Sequence, residues 1–495
     1  MAKLTGHLLS FETMKTQLFH LLFCFAAAVI FFLPPVISLG QDTHYNTYQF
    51  GTRSALLGGA VLGYTRDNTC IFYNPGSLAF VDSNSITITA NAYQVENYRI
   101  KSANSLQKDL TSSPIGSVPL MVAGMLGLGK KRIRIGYGVI SPVNFDFKTT
   151  SRIAGRFSVV DEQTSPGDEE FVGQSSISSQ LNEVAGILGI GYKLNENWAI
   201  GLSNMGVGRS QDFSKATYAR YYLNNPENSL CSYSSLRSAN YFHLRYVGKI
   251  GLSYLKKGFA FGFTVTLPSI GVFGTGVLTG DFIGTNILYN DSRTSVLANA
   301  RQEKVSVVYS SPFSLASGIN WRINKSTLGF SLQYHARKDA YEVMSAVSAG
   351  ILVPTALFES LGGRDFLTMK EGARQVLNFS LGYEYALYRN VSLIASFRSN
   401  QSFHTHELDG FSGIKTSIST WNIYHFSGGL ILKQGHSQLT IGLMYGTGSD
   451  GSRTQNGEFS IPQEVRFSDS DNSTSRATYN SIGFLLGYSF MLFDL

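Results

Sequence analysis

The chain has 495 residues and a formal net charge of +7, and 43% of its residues are hydrophobic while only 15% are charged. An ordinary soluble domain has about 25% charged residues, so the composition argues against a soluble protein. Apolar residues are spread almost evenly beyond residue 40, whereas a membrane-crossing helix needs about 20 in succession. Strands that face lipid on one side and a polar lumen on the other produce such a mixture.

The one long apolar run lies at the start of the chain, at residues 17–33. Ser38 and Gly40 supply the small residues that signal peptidase prefers. We therefore predict a cleaved signal peptide over residues 1–40, with Met14 as an alternative start and a membrane anchor as the rival interpretation. An exported chain does not normally meet nucleic acid, so the isoelectric point of about 9.0 does not indicate a nucleic-acid partner.

Residues 41–84 show no regular alternation of apolar and polar residues. They contain Phe50-Gly-Thr-Arg-Ser-Ala-Leu-Leu-Gly-Gly-Ala60 and, further on, Asp67-Asn-Thr-Cys-Ile-Phe-Tyr-Asn-Pro-Gly-Ser-Leu-Ala79. Taken alone, Asn-Pro is only a turn signal.

Strict alternation is the strongest signal beyond residue 84. Between residues 377 and 387, for example, apolar residues at odd positions are separated by small or polar ones, without the three-and-four spacing of a helix. The predicted strands are 85–98, 118–128, 132–147, 180–194, 197–209, 240–255, 258–269, 312–323, 326–337, 375–388, 390–400, 419–433, 437–447 and 478–493.

The connections between these strands alternate between short turns of one to three residues and long segments of roughly 18 to 45 residues. A membrane barrel with both termini in the periplasm has this pattern of tight periplasmic turns and large outer loops. A soluble β-sandwich has no reason to keep such parity. We therefore predict an all-β fold, a transmembrane antiparallel β-barrel of about 14 strands over residues 85–495. The lysine-rich turns are then solvated hairpin tips, and the aromatic strand ends are interfacial girdles.

Residues 50–60 and 67–79, in this order and ahead of the strands, resemble the N-terminal plug of the FadL family of outer-membrane long-chain fatty-acid and hydrocarbon transporters (OMPP/FadL/TodX type). Ser311-Pro-Phe-Ser-Leu-Ala-Ser-Gly318 similarly resembles a proline-led strand of that family. Gly76 stands where the family usually has Ala, and Gln41-Asp42 is polar where an apolar N-terminus is expected. The matching residues are Arg53, Gly58, Gly59, Ala60, Asp67, Tyr73, Asn74, Pro75, Leu78 and Ala79.

The resemblance implies that residues 41–84 form a plug in the lumen of an outer-membrane barrel. It implies uptake of a hydrophobic small molecule, a fatty acid or hydrocarbon, which leaves sideways through the wall after the plug shifts. Outer-membrane lipid and the barrel-assembly machinery are the other expected partners. A binding or shuttle partner of a protein-secretion system is one alternative, and a general porin is another. The residues expected to govern opening are Arg53, Gly58, Gly59, Asp67, Tyr73, Asn74, Pro75 and Gly76.

Two predicted outer loops, 269–285 and 341–359, are unusually apolar and suit substrate capture; a helix is an alternative for the second. A carboxylate head group would need a cation at an inward position of a strand, where Lys249 and Arg398 also fall. The ligand-binding candidates are Phe273, Phe282, Leu352, Phe358, Arg245 and Arg322.

The sequence contains no Gly-x-Ser-x-Gly, Walker or Cys-x-x-Cys motif. His404-Thr-His406-Glu407 has metal-like spacing but lies in a polar loop without a second cluster. We therefore predict a protein that is not an enzyme and has no cofactor and no metal site. No spacing rule supports a disulfide between Cys70 and Cys231, so two free thiols and one incidental bond both remain open.

Overall fold

A computed structural model describes residues 42–65, 67–81, 85–89, 93–101, 109–117, 121–127, 132–161, 163–289, 292–348, 363–435, 437–454, 464 and 474–491. The predicted signal peptide lies outside these residues, as do the ligand candidates Leu352 and Phe358. None of the helices within the described ranges is long and apolar enough to cross a membrane. Cys70 and Cys231 are both buried free thiols.

Short helices occur mainly in the part of the chain that precedes the strands. Helix α1 covers Thr52–Leu56 and α2 covers Cys70–Tyr73, and a 3₁₀ helix, Pro75–Phe80, follows directly. Two further 3₁₀ helices, Arg364–Phe366 and His406–Leu408, lie in connections between strands.

Strands make up most of the remaining chain. They are β1 (Ser85–Thr89), β2 (Tyr93–Lys101), β3 (Leu110–Ser112), β4 (Ile115–Ser117), β5 (Met121–Gly127), β6 (Ile133–Phe157), β7 (Glu169–Lys193), β8 (Trp198–Tyr222), β9 (Leu230–Lys256), β10 (Phe259–Thr266), β11 (Ile270–Tyr289), β12 (Ser292–Ser306), β13 (Ser314–Ile323), β14 (Ser326–His335), β15 (Lys338–Met344), β16 (Met369–Ala373), β17 (Val376–Tyr388), β18 (Val391–Asn400), β19 (Asn422–Gln434), β20 (Ser437–Thr454) and β21 (Thr474–Met491).

The strands pair antiparallel in one long path. It runs from β1 to β5, β6, β7, β8, β9, β10, β13, β14, β17, β18, β19, β20 and β21, and β21 pairs with β1. Strand β2 follows β1 and, like β1, pairs with β21. Strand β11 follows β10 and, like β10, pairs with β9. The other edge of β11 pairs with β12. Strands β15 and β16 form a separate hairpin.

Several strands are much longer than the sequence predicted. Strands β6, β7 and β8 have 25 residues each and β9 has 27, whereas a tilted strand crosses a bilayer with about 9–11. Most of the predicted long connections 148–179, 210–239 and 270–311 are therefore continued strands. The prediction of an apolar loop at residues 269–285 is wrong, because these residues form most of β11. In the second predicted loop, residues 341–344 are strand and not helix, and residues 349–359 are outside the described part of the chain.

The outward face of the sheet carries an apolar belt near the short hairpin turns. On β7 it begins at Val184 and includes Leu188, Ile190 and Tyr192; on β9 it includes Phe242, Tyr246 and Ile250. Further along β7, outward positions become polar, as at Asn182 and Gln180. The belt therefore spans about ten residues of each long strand, close to the length that crosses a bilayer, and the remaining length extends beyond it.

Candidate functional site

Residues 42–81, called here the N-terminal segment, are almost entirely buried against the inner face of the sheet. Their beginning lies at the end of the sheet opposite the hairpin turns, where the Ser419 amide donates to the Asp42 carboxylate (3.0 Å) and the Phe403 amide donates to the Thr43 carbonyl (2.8 Å). The polar start that departs from the family pattern thus has a structural role, because Asp42 accepts these backbone hydrogen bonds.

Burial shifts the pKa values of Asp42 and His44 at the beginning of this segment. Desolvation raises the pKa of Asp42, although hydrogen bonds from Ser419 and Ile418 oppose the change. Desolvation also lowers the pKa of His44 to about 3, helped by the nearby guanidinium of Arg398. His44 is therefore neutral at physiological pH, and its Nε2 lies 3.0 Å from the Trp421 carbonyl, to which it can donate as a neutral imidazole.

The large sheet is called here the wall. Its glycines allow the N-terminal segment to approach it closely. A Cβ built on Gly201 would lie 2.2 Å from the Pro75 carbonyl oxygen, and one on Gly262 would lie 1.9 Å from the Leu62 carbonyl oxygen. These distances are shorter than any van der Waals contact, so only glycine fits. Further glycines in this position are Gly329 against Ala60, Gly442 against Leu56 and Gly487 against Thr52.

Asn74 joins the segment to the wall. It is fully buried, and its Nδ2 lies 3.2 Å from the Leu62 carbonyl, 3.1 Å from the Leu252 carbonyl and 3.0 Å from Ser253 Oγ. Its Oδ1 accepts from the Gly76 amide (3.0 Å), which caps the 3₁₀ helix that Pro75 begins. The Asn-Pro-Gly sequence is therefore a docking point for the wall as well as a turn.

The other residues predicted to govern opening lie within the same segment. Arg53 forms an ion pair with Glu384 of β17 (2.7 Å), and Gly58 and Gly59 both have positive φ angles (59° and 80°). Positive φ favours glycine because it has no Cβ. Asp67 accepts from the Thr69 amide (3.0 Å). The Tyr73 hydroxyl donates to Gln49 Oε1 (3.0 Å) and accepts from the Phe50 amide (2.9 Å), so it holds two parts of the segment together.

A cavity of about 170 Å³ lies between the segment and the wall. Leu62, Phe72, Met205, Leu315 and Ala316 supply apolar surface, and Thr264, Gln333 and His335 add polar groups. Lys249 also lines the cavity, and its ammonium donates to the Phe72 carbonyl and lies 4.7 Å from the Phe72 ring. For scale, a cavity of about 150 Å³ with apolar walls holds one benzene molecule.

The pairing of the wall is interrupted beside this cavity. The ladder between β10 and β13 ends at Thr266 and Ser314, and the ladder between β11 and β12 begins at Thr275 and Ser306. Between them, the Ser269 amide donates to the Ser311 carbonyl (3.1 Å), and the Val307 amide donates to the Gly274 carbonyl (3.3 Å). Proline has no amide hydrogen, so Pro268 and Pro312 cannot donate to a ladder here.

The interruption has the cavity on one side and apolar side chains on the other. Thr266, Ser311, Pro312 and Ser314 line the cavity from the wall side. On the outer surface the flanking side chains are exposed and apolar: Ile270 (65%), Val272 (64%) and Val308 (56%). The cavity and an apolar outer surface therefore lie on opposite sides of a stretch without regular strand pairing.

A buried cluster of charged and aromatic residues occupies the same inner face, further from the hairpin turns. The Glu183 carboxylate accepts from Arg209 (2.9 Å) and Arg245 (2.9 Å), and these guanidiniums lie 3.9 and 4.9 Å from the Tyr309 ring. Within the described residues, Nε and Nη1 of Arg245 have no hydrogen-bond partner, although the residue is only 6% exposed. A buried unsatisfied donor is costly, so these two N–H groups are suited to an incoming acceptor.

The predicted ligand candidates are not brought together. Phe273 is outward and exposed, and Phe282 is buried against Tyr233 with the ring centroids 5.2 Å apart. Arg322 is exposed next to a hairpin turn, where its amide donates to the Gly258 carbonyl (2.7 Å). Of the four described candidates, Arg245 lies in the buried charged cluster and Phe282 in a buried hydrophobic one.

Sequence reasoning missed Glu183, Arg209 and Tyr309. The alternation of β7 and β8 does place Glu183 and Arg209 at inward positions, and that was the available signal. Their contacts with Arg245 depend on the register of three strands, and Tyr309 lies in the irregular stretch between β12 and β13.

The long antiparallel sheet, with its apolar outer belt and a segment buried on its inner face, defines an all-β protein. No family model matches the sequence, and no curated protein matches it. Solved structures do. The toluene transporter TodX of Pseudomonas putida is 13% identical over 90% of this chain and 99% of its own, with a TM-score of 0.55.

Two further solved structures are similar. A FadL homologue of Pseudomonas aeruginosa is 11% identical over 93% of this chain and 99% of its own, with a TM-score of 0.53. The toluene transporter TbuX of Ralstonia pickettii is 14% identical over 91% of this chain and 100% of its own, with a TM-score of 0.53. The chain therefore has the fold of FadL/TodX-type channels, which confirms the predicted resemblance at the level of the fold.

Proposed function

We propose that the protein is an outer-membrane transporter that takes up hydrophobic small molecules. In this proposal the fourteen strands of the pairing path close into a barrel, and the N-terminal segment is the plug that fills its lumen. The observation that carries the proposal is the cavity beside Phe72 and Pro312, which lies between the segment and an interrupted part of the wall. The belt of exposed apolar side chains supports a membrane location.

The cavity favours a small apolar substrate or the alkyl chain of a larger one. Its size suits one aromatic ring, and burial of each methylene contributes about 0.8 kcal/mol to binding. The similar structures TodX and TbuX are described as toluene transporters. The two unpartnered N–H groups of Arg245 would accommodate a carboxylate head, so a fatty acid and a neutral hydrocarbon are both candidates.

The route that we propose starts at the end of the barrel opposite the hairpin turns and passes the Arg245 cluster. The substrate then enters the cavity, where Phe72 of the plug forms part of the floor. A shift of the plug and separation of the Ser269 and Ser311 backbones would open a path to the exposed Ile270 and Val308 at the outer surface. This route needs no opening through the periplasmic end of the lumen, which a general porin would require.

Filling the cavity tests the proposal. Ala316 lines the cavity on β13, and Ile319 of the same strand points outward. Ala316→Phe should lower uptake of radiolabelled toluene or oleate by cells at least tenfold, while Ile319→Phe should leave it unchanged. Equal uptake by both variants, with both assembled in the outer membrane, would show that the cavity is not on the route. Failure of the unaltered protein to take up either probe would favour the secretion-partner alternative.

A further inference from the structure

The connection between β18 and β19 brings three metal-ligating side chains together. His406 Nδ1 lies 2.8 Å from one carboxylate oxygen of Asp409, and His404 Nε2 lies 3.8 Å from the other. The ligating atoms of all three residues lie within 4.8 Å of one another. We propose that His404, His406 and Asp409 bind one divalent transition-metal ion, with Zn²⁺ as the best match.

The donor set selects the kind of metal. Two imidazoles and one carboxylate suit zinc, copper and nickel, whereas magnesium and calcium prefer oxygen ligands only. Ligands of a tetrahedral zinc ion at bond lengths of about 2.1 Å are separated by about 3.4 Å. The separations between Asp409 and the two histidines lie on either side of this value, so small side-chain rotations complete the site. A fourth position remains for water or for another ligand.

The short 3₁₀ helix His406–Leu408 determines which acidic residue joins the histidines. It turns the chain so that the Asp409 amide donates to the His406 carbonyl (3.1 Å) and the Asp409 carboxylate returns to the two imidazoles. Glu407, the acidic residue in the sequence motif, instead pairs with Arg337. The prediction of no metal site considered only the motif His404-Thr-His406-Glu407, which does not include Asp409. Lys415 contacts the main-chain carbonyl of Asp409 (2.7 Å), which leaves the carboxylate to the histidines.

The same connection holds the beginning of the N-terminal segment. The Phe403 amide donates to the Thr43 carbonyl (2.8 Å), and the Phe403 ring stacks on Tyr45 with the centroids 4.5 Å apart. The hydroxyl of Ser402 lies 2.9 Å from that of Thr43 and also accepts from the His404 amide (3.1 Å). A metal ion on His404 would therefore rigidify the residues that hold the plug, and this second consequence rests on the proposed function.

Metal titration of the purified full chain tests the site. After treatment with a chelator, calorimetric titration with Zn²⁺ should show one ion per chain, and Co²⁺ should give the absorption of a tetrahedral site. His406→Ala and Asp409→Asn should each weaken Zn²⁺ binding at least tenfold, while Glu407→Gln should leave it unchanged. Absence of stoichiometric binding, or equal binding by all three variants, would overturn the proposal.

Limited proteolysis separates the site from its effect on the plug. Zn²⁺ should slow cleavage within residues 42–50 at least threefold in the unaltered protein and have no effect in His406→Ala. Stoichiometric binding without this protection would retain the metal site and overturn its coupling to the plug. Protection without transport of any probe would retain the coupling and count against the proposed function.

Discussion

Asn74 lies against Ser253 of β9, with its amide nitrogen 3.0 Å from the serine hydroxyl, and both residues are buried. The same serine hydroxyl lies 2.7 Å from that of Ser77, so two residues of the N-terminal segment converge on one point of the wall. These contacts surround the Gly76 backbone, which approaches the wall at Gly251. A Cβ built on Gly251 would lie 2.9 Å from the Gly76 nitrogen. This contact between the N-terminal segment and β9, called here the joint, is therefore both polar and closely packed.

Asn74→Ala should loosen this joint without preventing insertion of the barrel. Loss of the amide leaves the Leu62 and Leu252 carbonyls with fewer partners, and each unsatisfied buried group costs about 1–3 kcal/mol. We expect the variant to show frequent channel openings in planar bilayers, whereas the intact protein stays mostly closed. Asn480→Ala, at an outward position of β21, is the control and should behave like the intact protein. An equally closed Asn74→Ala channel would show that this joint does not hold the plug.

Gly201→Ala should displace the N-terminal segment, the proposed plug, by steric contact alone. The new Cβ would lie 2.2 Å from the Pro75 carbonyl oxygen, and backbone on both sides leaves little room for adjustment. Gly206 of the same strand has open space around the position of its Cβ, so Gly206→Ala is the matched control. Bilayer conductance should rise in Gly201→Ala only. A silent Gly201→Ala channel, recovered in normal amounts, would mean that the segment adapts to the wall.

Arg245→Lys should reduce the uptake of anionic substrates and leave the uptake of neutral substrates nearly unchanged. Lysine keeps the positive charge beside Glu183 but lacks the guanidinium's separate Nε and Nη1 donors, which have no hydrogen-bond partner within the described residues. Uptake of oleate at low concentration should fall at least tenfold, and uptake of toluene should stay within twofold of the intact protein. Arg322→Lys serves as the control because Arg322 is exposed near a turn. If both substrates lose uptake equally, Arg245 supports the wall and does not select the head group.

Acid should release the beginning of the N-terminal segment through His44. Burial lowers the pKa of His44 from 6.5 to about 3, so its contribution to stability is complete above pH 6.5 and is lost as the pH falls from 6.5 towards 3. The loss amounts to about 1.4 kcal/mol per pH unit. Cleavage within residues 42–50 by an acid-active protease should increase over this range, and His44→Gln should remove the dependence.

Asp42 acts in the opposite direction, because burial raises its pKa and its protonation in acid favours the buried state. Asp42→Asn removes this compensation and should therefore make the acid release steeper. A pH profile that is flat in the unaltered protein and in both variants would rule out His44 as the group responsible.

Strict alternation predicted the strands around the apolar belt well. Residues 375–388, for example, match β17 (Val376–Tyr388) almost completely, because one face must meet an apolar medium and the other must not. The hairpin turn at Lys256-Lys257 was predicted for the same reason, since alternation stops there and Gly258, with a φ of 79°, follows. The two motifs between residues 50 and 79 pointed to the FadL-type fold only together with their order and the strands that follow them, since Asn-Pro alone is a turn signal.

The alternation of apolar and polar residues did not predict strands whose two faces are both polar. It also could not predict which side chains on different strands come into contact. Residues 174–180 contain four serines and two glutamines, and they are strand only because β6 and β8 pair with them on either side. Glu183, Arg209 and Arg245 meet because of strand register, and Asp409 replaces Glu407 beside the histidines because of one helical turn. The sequence by itself determined which strand residues are apolar and point outward, since that preference belongs to each side chain. Only the tertiary structure decided which polar residues meet, because distances between strands depend on register and on the path of the plug.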